Sequence, residues 1–262
     1  MIRAEILSIG DELLIGQTIN TNAGWIGNQL SRMGIDVTRT IAISDNPQII
    51  SRALDECIKH ADLICITGGL GPTKDDMTKA VLAEYFGSKL VRNDEILKKI
   101  EDYFSKRHRD MLEVNRQQAD LPDNCIVLPN PVGTASGMWF EKNGKIIISM
   151  PGVPYEMKAI FEGEVLSRLK QKYPLPNIVH RTILTQGIGE SFIADIVKDW
   201  ENRLRNEGLG LAYLPSPGMV KLRITAKGED KNELAKRVKV YEDELISLIP
   251  EYIYGYENDS LE

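Results

Sequence analysis

The chain alternates short apolar runs with longer segments in which apolar residues recur every three or four positions. The runs are rich in branched apolar residues and predict buried strands, whereas the segments between them predict helices. One helix start is well marked, because Asn46 suits an N-cap and Pro47 suits the first helical position. Strands are predicted over 3–9, 35–43 and 62–67, and helices over 20–34, 44–61 and 75–87. This alternation predicts an α/β fold with a parallel sheet covered by helices.

The second half of the chain has a different pattern and indicates a second domain. A helical stretch over 92–118, in one or two pieces, precedes an Asn143–Gly144 turn between two strand-like runs, which predicts a hairpin. A long helix is predicted over 153–173, and two prolines make 174–177 a stiff connector. Beyond it the predicted order is strand, helix, strand pair, helix and strand, over 178–186, 189–205, 209–228, 231–249 and 252–256. We therefore expect an α/β domain over 1–172 and a smaller α+β domain over 173–262.

Composition and charge exclude several classes of protein. The 262 residues are 42% hydrophobic, so a full core is expected, and the net charge of −6 argues against a general nucleic-acid binder. No apolar run reaches the length of about 18 residues that a membrane span needs. The three cysteines lie in apolar contexts, as expected of buried, reduced thiols in a cytoplasmic protein. Without a G-x-S-x-G motif or a plausible Cys–His pair, covalent catalysis has no support.

Two predicted strands end in segments that suit a phosphate and a metal ion. Gly10, Asp11 and Glu12 follow the first strand, and TGGLGPTKDD, residues 67–76, ends the third. Ligands of a parallel sheet bind beyond the carboxyl ends of its strands, where glycines let backbone N–H groups approach a phosphate. Adjacent carboxylates suit Mg²⁺, which bridges them to substrate phosphates. The segment matches neither the dinucleotide nor the P-loop fingerprint.

These candidates also have ordinary structural interpretations. Thr73 and Asp76 resemble a capping box, and acids stabilise any helix start, so capping and ligand binding stay equal alternatives for Asp75 and Asp76. Lys74 suits a phosphate contact or simple exposure to solvent. Three further stretches are open to both structural and ligand-binding interpretations, namely 115–119, 129–138 and 150–157.

Four segments in this order, ILSIGDELLIGQTINTN, ITGGLGPTKDDMTKA, NPVGTASGM and MPGVPYEM, closely resemble the amino-terminal part of the CinA (competence/damage-inducible) family. That part belongs to the molybdopterin-binding (MoaB/Mog/gephyrin-like) superfamily, and the four segments cover about residues 1–170. TQGIGESFIAD and LAYLPSPGMVKLRITAKG are similar to the family's small KH-like domain. The resemblance implies a three-layer α/β domain with a mostly parallel sheet, followed by a KH-like domain. It does not extend to the C-terminal nicotinamide-mononucleotide amidohydrolase domain of many relatives, so we expect no deamidase activity.

The resemblance also implies an activity: metal-dependent hydrolysis of the diphosphate of ADP-ribose, or of a related nucleoside diphosphate compound, to AMP and ribose 5-phosphate. It implies a divalent metal, Mg²⁺ or a similar ion, as cofactor, with a monovalent cation as a second candidate ion, and a small-molecule nucleotide as the ligand. The implied catalytic residues are Asp75, Asp76, Glu12 and Asp11, and the first two are also the implied metal ligands. The implied substrate-binding residues are Gly10, Asn22, Thr67, Gly68, Gly69, Gly71, Pro72, Thr73, Lys74, Asn115, Asn130, Gly133, Pro151 and Gly152.

Two departures from related sequences narrow these expectations. Val153 stands where the molybdenum-cofactor relatives have the asparagine of P-G-N-P, which argues against molybdopterin as the ligand. Gly187 and Gly189 are too close together for the G-x-x-G loop of nucleic-acid-binding KH domains, and 173–262 carries a net charge of −4, so we expect a packing or homodimer role for this domain. A non-catalytic molybdopterin- or nucleotide-binding module, and an interaction protein in competence or DNA repair, remain the alternatives.

Overall fold

A computed structural model of the protein describes residues 2–73 and 76–256. The chain divides into two compact units, Met1–Pro174 and Leu175–Glu262. Among the described residues, no helix combines the length and the apolar character that a bilayer crossing requires.

Six strands form a mixed sheet in the first unit, and two more form a small antiparallel pair. The strands are β1 (Arg3–Ile9), β2 (Asp36–Ile43), β3 (Leu63–Thr67), β4 (Leu90–Arg92), β5 (Asp120–Pro122), β6 (Ile126–Leu128), β7 (Gly137–Lys142) and β8 (Lys145–Met150). The large sheet has the order β2-β1-β3-β8-β7-β6, and β4 pairs with β5. Strands β2, β1, β3 and β8 are parallel to their neighbours in this series, while β7 is antiparallel to both β8 and β6.

Helices connect these strands, and one of them begins where the sequence predicts. They are α1 (Asp11–Leu14), α2 (Thr21–Arg32), α3 (Pro47–His60), α4 (Thr78–Tyr85), α5 (Asp94–Ser105), α6 (Glu113–Arg116), α7 (Pro154–Ile160) and α8 (Leu166–Lys172). The side-chain oxygen of Asn46 accepts hydrogen bonds from the N–H groups of Gln48 and Ile49, at 2.9 and 3.4 Å. The predicted N-cap and first-turn proline of α3 are therefore confirmed.

Strand β1 shows that helices cover both faces of the sheet. Successive strand side chains point to opposite faces, yet Ile6 and Leu7 are both fully buried. Ile6 faces α2, because a Cβ on Gly27 would lie 3.7 Å from the Ile6 Cδ1 atom. Leu7 shares a core with Ile50 of α3. The predicted three-layer α/β fold with a mostly parallel sheet is confirmed.

One predicted helix start is wrong, and the structure adds detail to two other predicted helical stretches. The helix predicted over 75–87 begins only at Thr78, and it has no side-chain N-cap. The stretch 92–118 is two helices, α5 and α6, separated near His108, whose φ is 51°. The helix predicted over 153–173 runs from α7 to α8 through the π-helical turn Phe161–Val165.

The second unit is a four-stranded antiparallel sheet with helices packed on one face. Its elements are β9 (Asn177–Gln186), α9 (Glu190–Ile196), α10 (Lys198–Asn206), β10 (Gly210–Ser216), β11 (Met219–Gly228), α11 (Lys231–Leu248) and β12 (Ile253–Tyr256). The strand order is β10-β11-β9-β12. Residues from the strands and from α10 and α11, including Ile183, Trp200, Leu222 and Leu245, form its core. The predicted α+β order is confirmed, although the single helix predicted over 189–205 is two helices.

The parallel strands β1, β3 and β8 lie side by side, and their carboxyl ends come unusually close at one point. Gly68 follows β3 with a φ of 111°, and its N–H donates to the Met150 carbonyl of β8 at 3.1 Å. A Cβ on Gly68 would lie 2.1 Å from the carbonyl oxygen of Ile9, the last residue of β1. Only glycine therefore fits where these three strands end.

A buried carboxylate lies within the sheet itself. Glu5 of β1 is 2% exposed, and one of its oxygens accepts hydrogen bonds from Nε and Nη2 of Arg39 on β2, at 3.1 and 2.6 Å. Burying a charge without a partner is costly, and the ion pair with Arg39 offsets the cost of burying the Glu5 carboxylate.

We expect R39M to destabilise the first unit by about 2 kcal/mol, because it leaves the Glu5 carboxylate buried and unpaired. The cost is below that of a fully buried pair, since the Arg39 side chain is 41% exposed. Urea unfolding followed by tryptophan fluorescence in a W200F background measures it, because Trp25 and Trp139 then report on the first unit alone. The double variant E5M/R39M removes the unpaired charge and should be more stable than R39M; equal stability of the two would contradict this account.

We expect G68A to lower the stability of the first unit by about 2 kcal/mol, because the added methyl collides with the Ile9 carbonyl at a left-handed φ. The same urea titration measures this. G163A is the matched control, since a Cβ there meets no atom within 4 Å and Gly163 lies within a helical turn. Equal stability of G68A and wild type would mean that the close approach of β1 and β3 is not required.

Candidate functional site

A cleft of about 460 Å³ lies at the carboxyl ends of β1, β3 and β8. Its walls come from the segments that directly follow these strands, together with single residues from elsewhere in the first unit. This is the position at which parallel α/β sheets bind ligands. The sheet order, with β3 between β1 and β8, therefore brings the two segments predicted from the sequence to one site.

The glycine-rich loop after β3 forms part of the wall of this cleft and has backbone donors that no described residue uses. Gly69, Leu70 and Gly71 all line it. The N–H groups of these three residues have no acceptor among the residues that the structure describes, whereas the neighbouring N–H of Gly68 is used by Met150. Consecutive N–H groups with no partner form a site that suits an anion such as a phosphate.

Asp76 closes this loop on itself. One of its oxygens accepts hydrogen bonds from the Thr73 N–H and hydroxyl, at 2.9 and 2.6 Å. Gly71 makes room for that carboxylate, because a Cβ there would lie 2.4 Å from the Asp76 Oδ2 atom. Helix α4 starts two residues later, so the Thr73–Asp76 contact shapes the loop rather than capping the helix. The capping-box interpretation is therefore wrong, because these hydrogen bonds lie before the helix start. The Asp76 side chain instead forms part of the cleft wall.

Four carboxylates line the cleft, and they define its electrostatic character. They belong to Glu12, Asp45, Asp76 and Glu156. None of the described lining residues is a lysine or an arginine. Phosphates would therefore meet like charge here unless a cation lies between, and carboxylate oxygens are the donors that Mg²⁺ prefers.

Glu156 is held in place by Asn130, which follows β6. The Asn130 amide donates to a Glu156 oxygen at 2.6 Å and to the Ala135 carbonyl at 3.0 Å, while its oxygen accepts from the Gly133 N–H at 2.9 Å. A Cβ on Gly133 would lie 2.3 Å from the Glu156 carboxyl carbon, so a side chain there would displace the Glu156 carboxylate from this position. Burial raises the pKa of the Glu156 carboxyl, and the hydrogen bond from Asn130 partly offsets this.

A second polar network joins the strand ends from the side of α2. The Asn22 amide donates to the Thr67 hydroxyl at 3.0 Å and to the Gly152 carbonyl at 2.8 Å. The Thr67 hydroxyl donates to the Pro151 carbonyl at 2.9 Å. Asn22 and Thr67 line a small cavity of about 90 Å³, which shares Ile9, Glu12 and Gly152 with the main cleft. These two residues therefore support the site rather than line its main cavity.

The structure brings most of the predicted site residues to the cleft or next to it. Those that line the cleft are Gly10, Glu12, Gly68, Gly69, Gly71, Pro72, Asp76, Pro151 and Gly152. Asn130 and Gly133 do not line the cleft but lie against Glu156, which does. Thr73 likewise donates hydrogen bonds to Asp76.

Other predicted site residues lie away from the cleft or outside the described part of the chain. Asp11 is exposed in the first turn of α1 and is not among the lining residues. Asn115 is not among them either, because its side-chain oxygen accepts from the Leu112 N–H. Lys74 and Asp75 lie outside the described residues.

Three polar residues of the cleft were not predicted individually, although Gln118 and Glu156 lie in the stretches 115–119 and 150–157 that are open to a ligand-binding interpretation. Asp45 precedes the N-cap of α3, and Glu156 lies in the first turn of α7, so both have the positions of ordinary helix-start acids. Gln118 is 5% exposed, and its Oε1 atom has no hydrogen-bond partner among the described residues. Such an unsatisfied acceptor in a cleft wall is the kind of group that a ligand hydroxyl or amino group satisfies.

The cysteines take no part in this site. Burial raises the pKa of the Cys57 and Cys65 thiols to about 12, and that of the half-buried Cys125 to about 11. Thiols with such pKa values are protonated at neutral pH and are poor nucleophiles.

Comparisons with known proteins agree with this architecture. A family model described as "Probable molybdopterin binding domain" matches residues 5–171, and one described as "Damage-inducible protein CinA KH domain" matches residues 180–255. A crystal structure of "the protein CinA with unknown function from Thermoplasma acidophilum" superposes with a TM-score of 0.58 at 36% identity, over 63% of this chain and 96% of that one.

Longer relatives extend the similarity over the whole chain. A "CinA-like protein" of Flavobacterium psychrophilum is 46% identical over 262 residues, and one of Cytophaga hutchinsonii is 44% identical over 261 residues. These alignments cover 98% and 100% of this chain. The chain spans 62% of the length of each of these curated relatives. The protein therefore belongs to the CinA family, with a molybdopterin-binding-type domain followed by a CinA KH domain.

Proposed function

We propose that the cleft binds ADP-ribose, or a related nucleoside diphosphate compound, and hydrolyses its diphosphate to AMP and ribose 5-phosphate. The observation that carries this proposal is that three consecutive residues with N–H donors unused by the described residues line the same cleft as four carboxylates. The donors of Gly69, Leu70 and Gly71 suit phosphate oxygens, and the carboxylates suit the cation that a diphosphate needs.

The carboxylates have the chemistry to hold a divalent cation. Asp76 lines the cleft and carries hard oxygen donors, so it is the described residue that would hold Mg²⁺, with Asp75 as a second candidate outside the described residues. When bound, such an ion would neutralise charge on the diphosphate and help to orient a water molecule. A monovalent cation is a further candidate on the same chemical grounds.

The chain's own residues would bind the substrate and move the proton. The loop N–H groups hold the attacked phosphate and stabilise the charge that develops on its oxygens. A water oxygen forms a bond to that phosphorus, the bond to the bridging oxygen breaks, and this oxygen leaves with the other phosphate. Glu12 is the candidate base for the water proton, because it lines the cleft whereas Asp11 does not.

A second candidate, a nucleotide-binding module without turnover, is favoured by one observation. The family model that matches residues 5–171 is described as a binding domain, "Probable molybdopterin binding domain". Such a module would use the N–H donors of the loop to bind a phosphate without a base to activate water. The same assay separates the two candidates, because only the hydrolase forms AMP.

Incubation of the protein with ADP-ribose and Mg²⁺, Mn²⁺ or Co²⁺, with and without K⁺, should yield AMP and ribose 5-phosphate in equal amounts by chromatography. E12Q and D76N should each lower kcat about 100-fold or more, because they remove a base or a cation ligand while keeping the side-chain shape. E84Q, a change of an exposed carboxylate on α4, is the matched control and should keep wild-type activity.

Failure of the folded wild-type protein to form AMP with every metal would refute the hydrolase. If calorimetry then still detects ADP-ribose binding, the module without turnover is supported. Full activity in both E12Q and D76N would instead show that the reaction does not use this cleft.

A further inference from the structure

An open groove of about 590 Å³ lies beside the acidic cleft, and its charge is of the opposite sign. The described residues that line it are Tyr103, Phe104, Arg107, Arg109 and Thr134. None of them is acidic. Thr134 also lines the main cleft, so the two cavities meet at this residue.

The two arginines are presented by the end of α5. Helix α5 ends at Ser105, and the Arg109 N–H turns back to donate to the Phe104 carbonyl at 3.2 Å. This reversal needs a left-handed residue, which His108 supplies with a φ of 51°. The turn therefore places Arg107 and Arg109 together at one end of the helix.

Arg107 is already oriented by its surroundings. Its guanidinium carbon lies 3.5 Å from the centroid of the Tyr103 ring, and its Nη1 donates to the Tyr103 carbonyl at 3.2 Å. The guanidinium of Arg109 has no hydrogen-bond or ion-pair partner among the described residues. An arginine fork that is stacked and oriented, beside a second unpaired one, matches the geometry of phosphate recognition.

The charge of Arg107 in the groove also acts on a residue next to the cleft wall. Tyr155 neighbours Glu156, whose charge is the main cause of the raised pKa of the Tyr155 hydroxyl, while Arg107 acts on it in the opposite direction. Arg107 therefore lies within interaction range of the residue next to the Asn130–Glu156 pair.

We propose that Arg107 and Arg109, with the Thr134 hydroxyl at the junction, form a second phosphate subsite that takes one phosphate of a nucleoside diphosphate whose other phosphate lies at the glycine-rich loop. The proposal rests on the nucleotide function proposed for the cleft. It explains where the second phosphate finds positive charge, since the described lining of the cleft offers carboxylates and no lysine or arginine.

Calorimetric titration with AMP and with ADP, both in Mg²⁺, tests this subsite. The two ligands differ by one phosphate, so wild type should bind ADP about 10-fold more tightly than AMP. R107A/R109A should lose most of this preference while keeping the wild-type affinity for AMP, and R107K/R109K should keep part of it, because lysine retains the charge but not the fork.

K98A/K99A is the matched control, since both lysines are exposed on the same helix and the change in net charge is identical. It should keep the full preference for ADP. An equal loss of AMP and ADP affinity in R107A/R109A, or the same loss in K98A/K99A, would overturn the subsite in favour of a general charge effect. Absence of an ADP preference in wild type, or of binding of either ligand, would overturn it as well.

Two combinations of results distinguish the phosphate subsite from the proposed hydrolysis. An arginine-dependent ADP preference without AMP formation from ADP-ribose would refute the hydrolase and keep the subsite. AMP formation by R107A/R109A at the wild-type kcat/KM, together with an unchanged ADP preference, would refute the subsite and keep the hydrolase.

Discussion

The close approach of three parallel strand ends is the constraint on which the candidate site depends. Strand β3 lies between β1 and β8, and the side chains of Asn22 and Thr67 join helix α2 to the segment after β8 by direct hydrogen bonds. Gly68 completes the arrangement, since any side chain there would occupy the position of the Ile9 carbonyl. These contacts hold the strand ends together, and the loop after β3 lines the cleft beyond them with three residues whose N–H groups have no acceptor among the described residues.

The arrangement of charge follows from that geometry. The segments after β1 and β3 and the first turn of α7 each contribute a carboxylate to the same cleft, and Asn130 holds one of them in a fixed position. Acids at helix starts are common for reasons of stability alone. Here the topology gathers them around backbone donors, so that a cation and a phosphate would each find complementary partners. The basic groove at the end of α5 extends the same surface with charge of the opposite sign.

Features of the structure that depend on local sequence could be predicted. Asn46 and Pro47 mark the start of α3, and Asn143 and Gly144 form the tight β7–β8 turn, where both residues have positive φ values of 54° and 76°. The glycine loop and Glu12 could also be predicted, because their positions follow from the ends of apolar runs. The start of α4 could not, because Asp76 accepts hydrogen bonds from Thr73 and lies before the helix instead of in its first turn.

Features that depend on distant packing escaped prediction. Asp45, Gln118 and Glu156 reach the cleft only because three separate segments fold against the same strand ends, and nothing in their local sequence sets them apart. Asn115, three residues before Gln118, is held instead by a local contact, because its side-chain oxygen accepts a hydrogen bond from the Leu112 N–H at the start of α6.

A crystal structure of the protein with AMP and Mg²⁺ tests the central claim most directly. The account predicts that the 5′-phosphate lies within hydrogen-bonding distance of the N–H groups of Gly69, Leu70 and Gly71, with the ion between that phosphate and the carboxylates of the cleft. A phosphate bound elsewhere on the protein, with these three N–H groups left without a ligand, would contradict it.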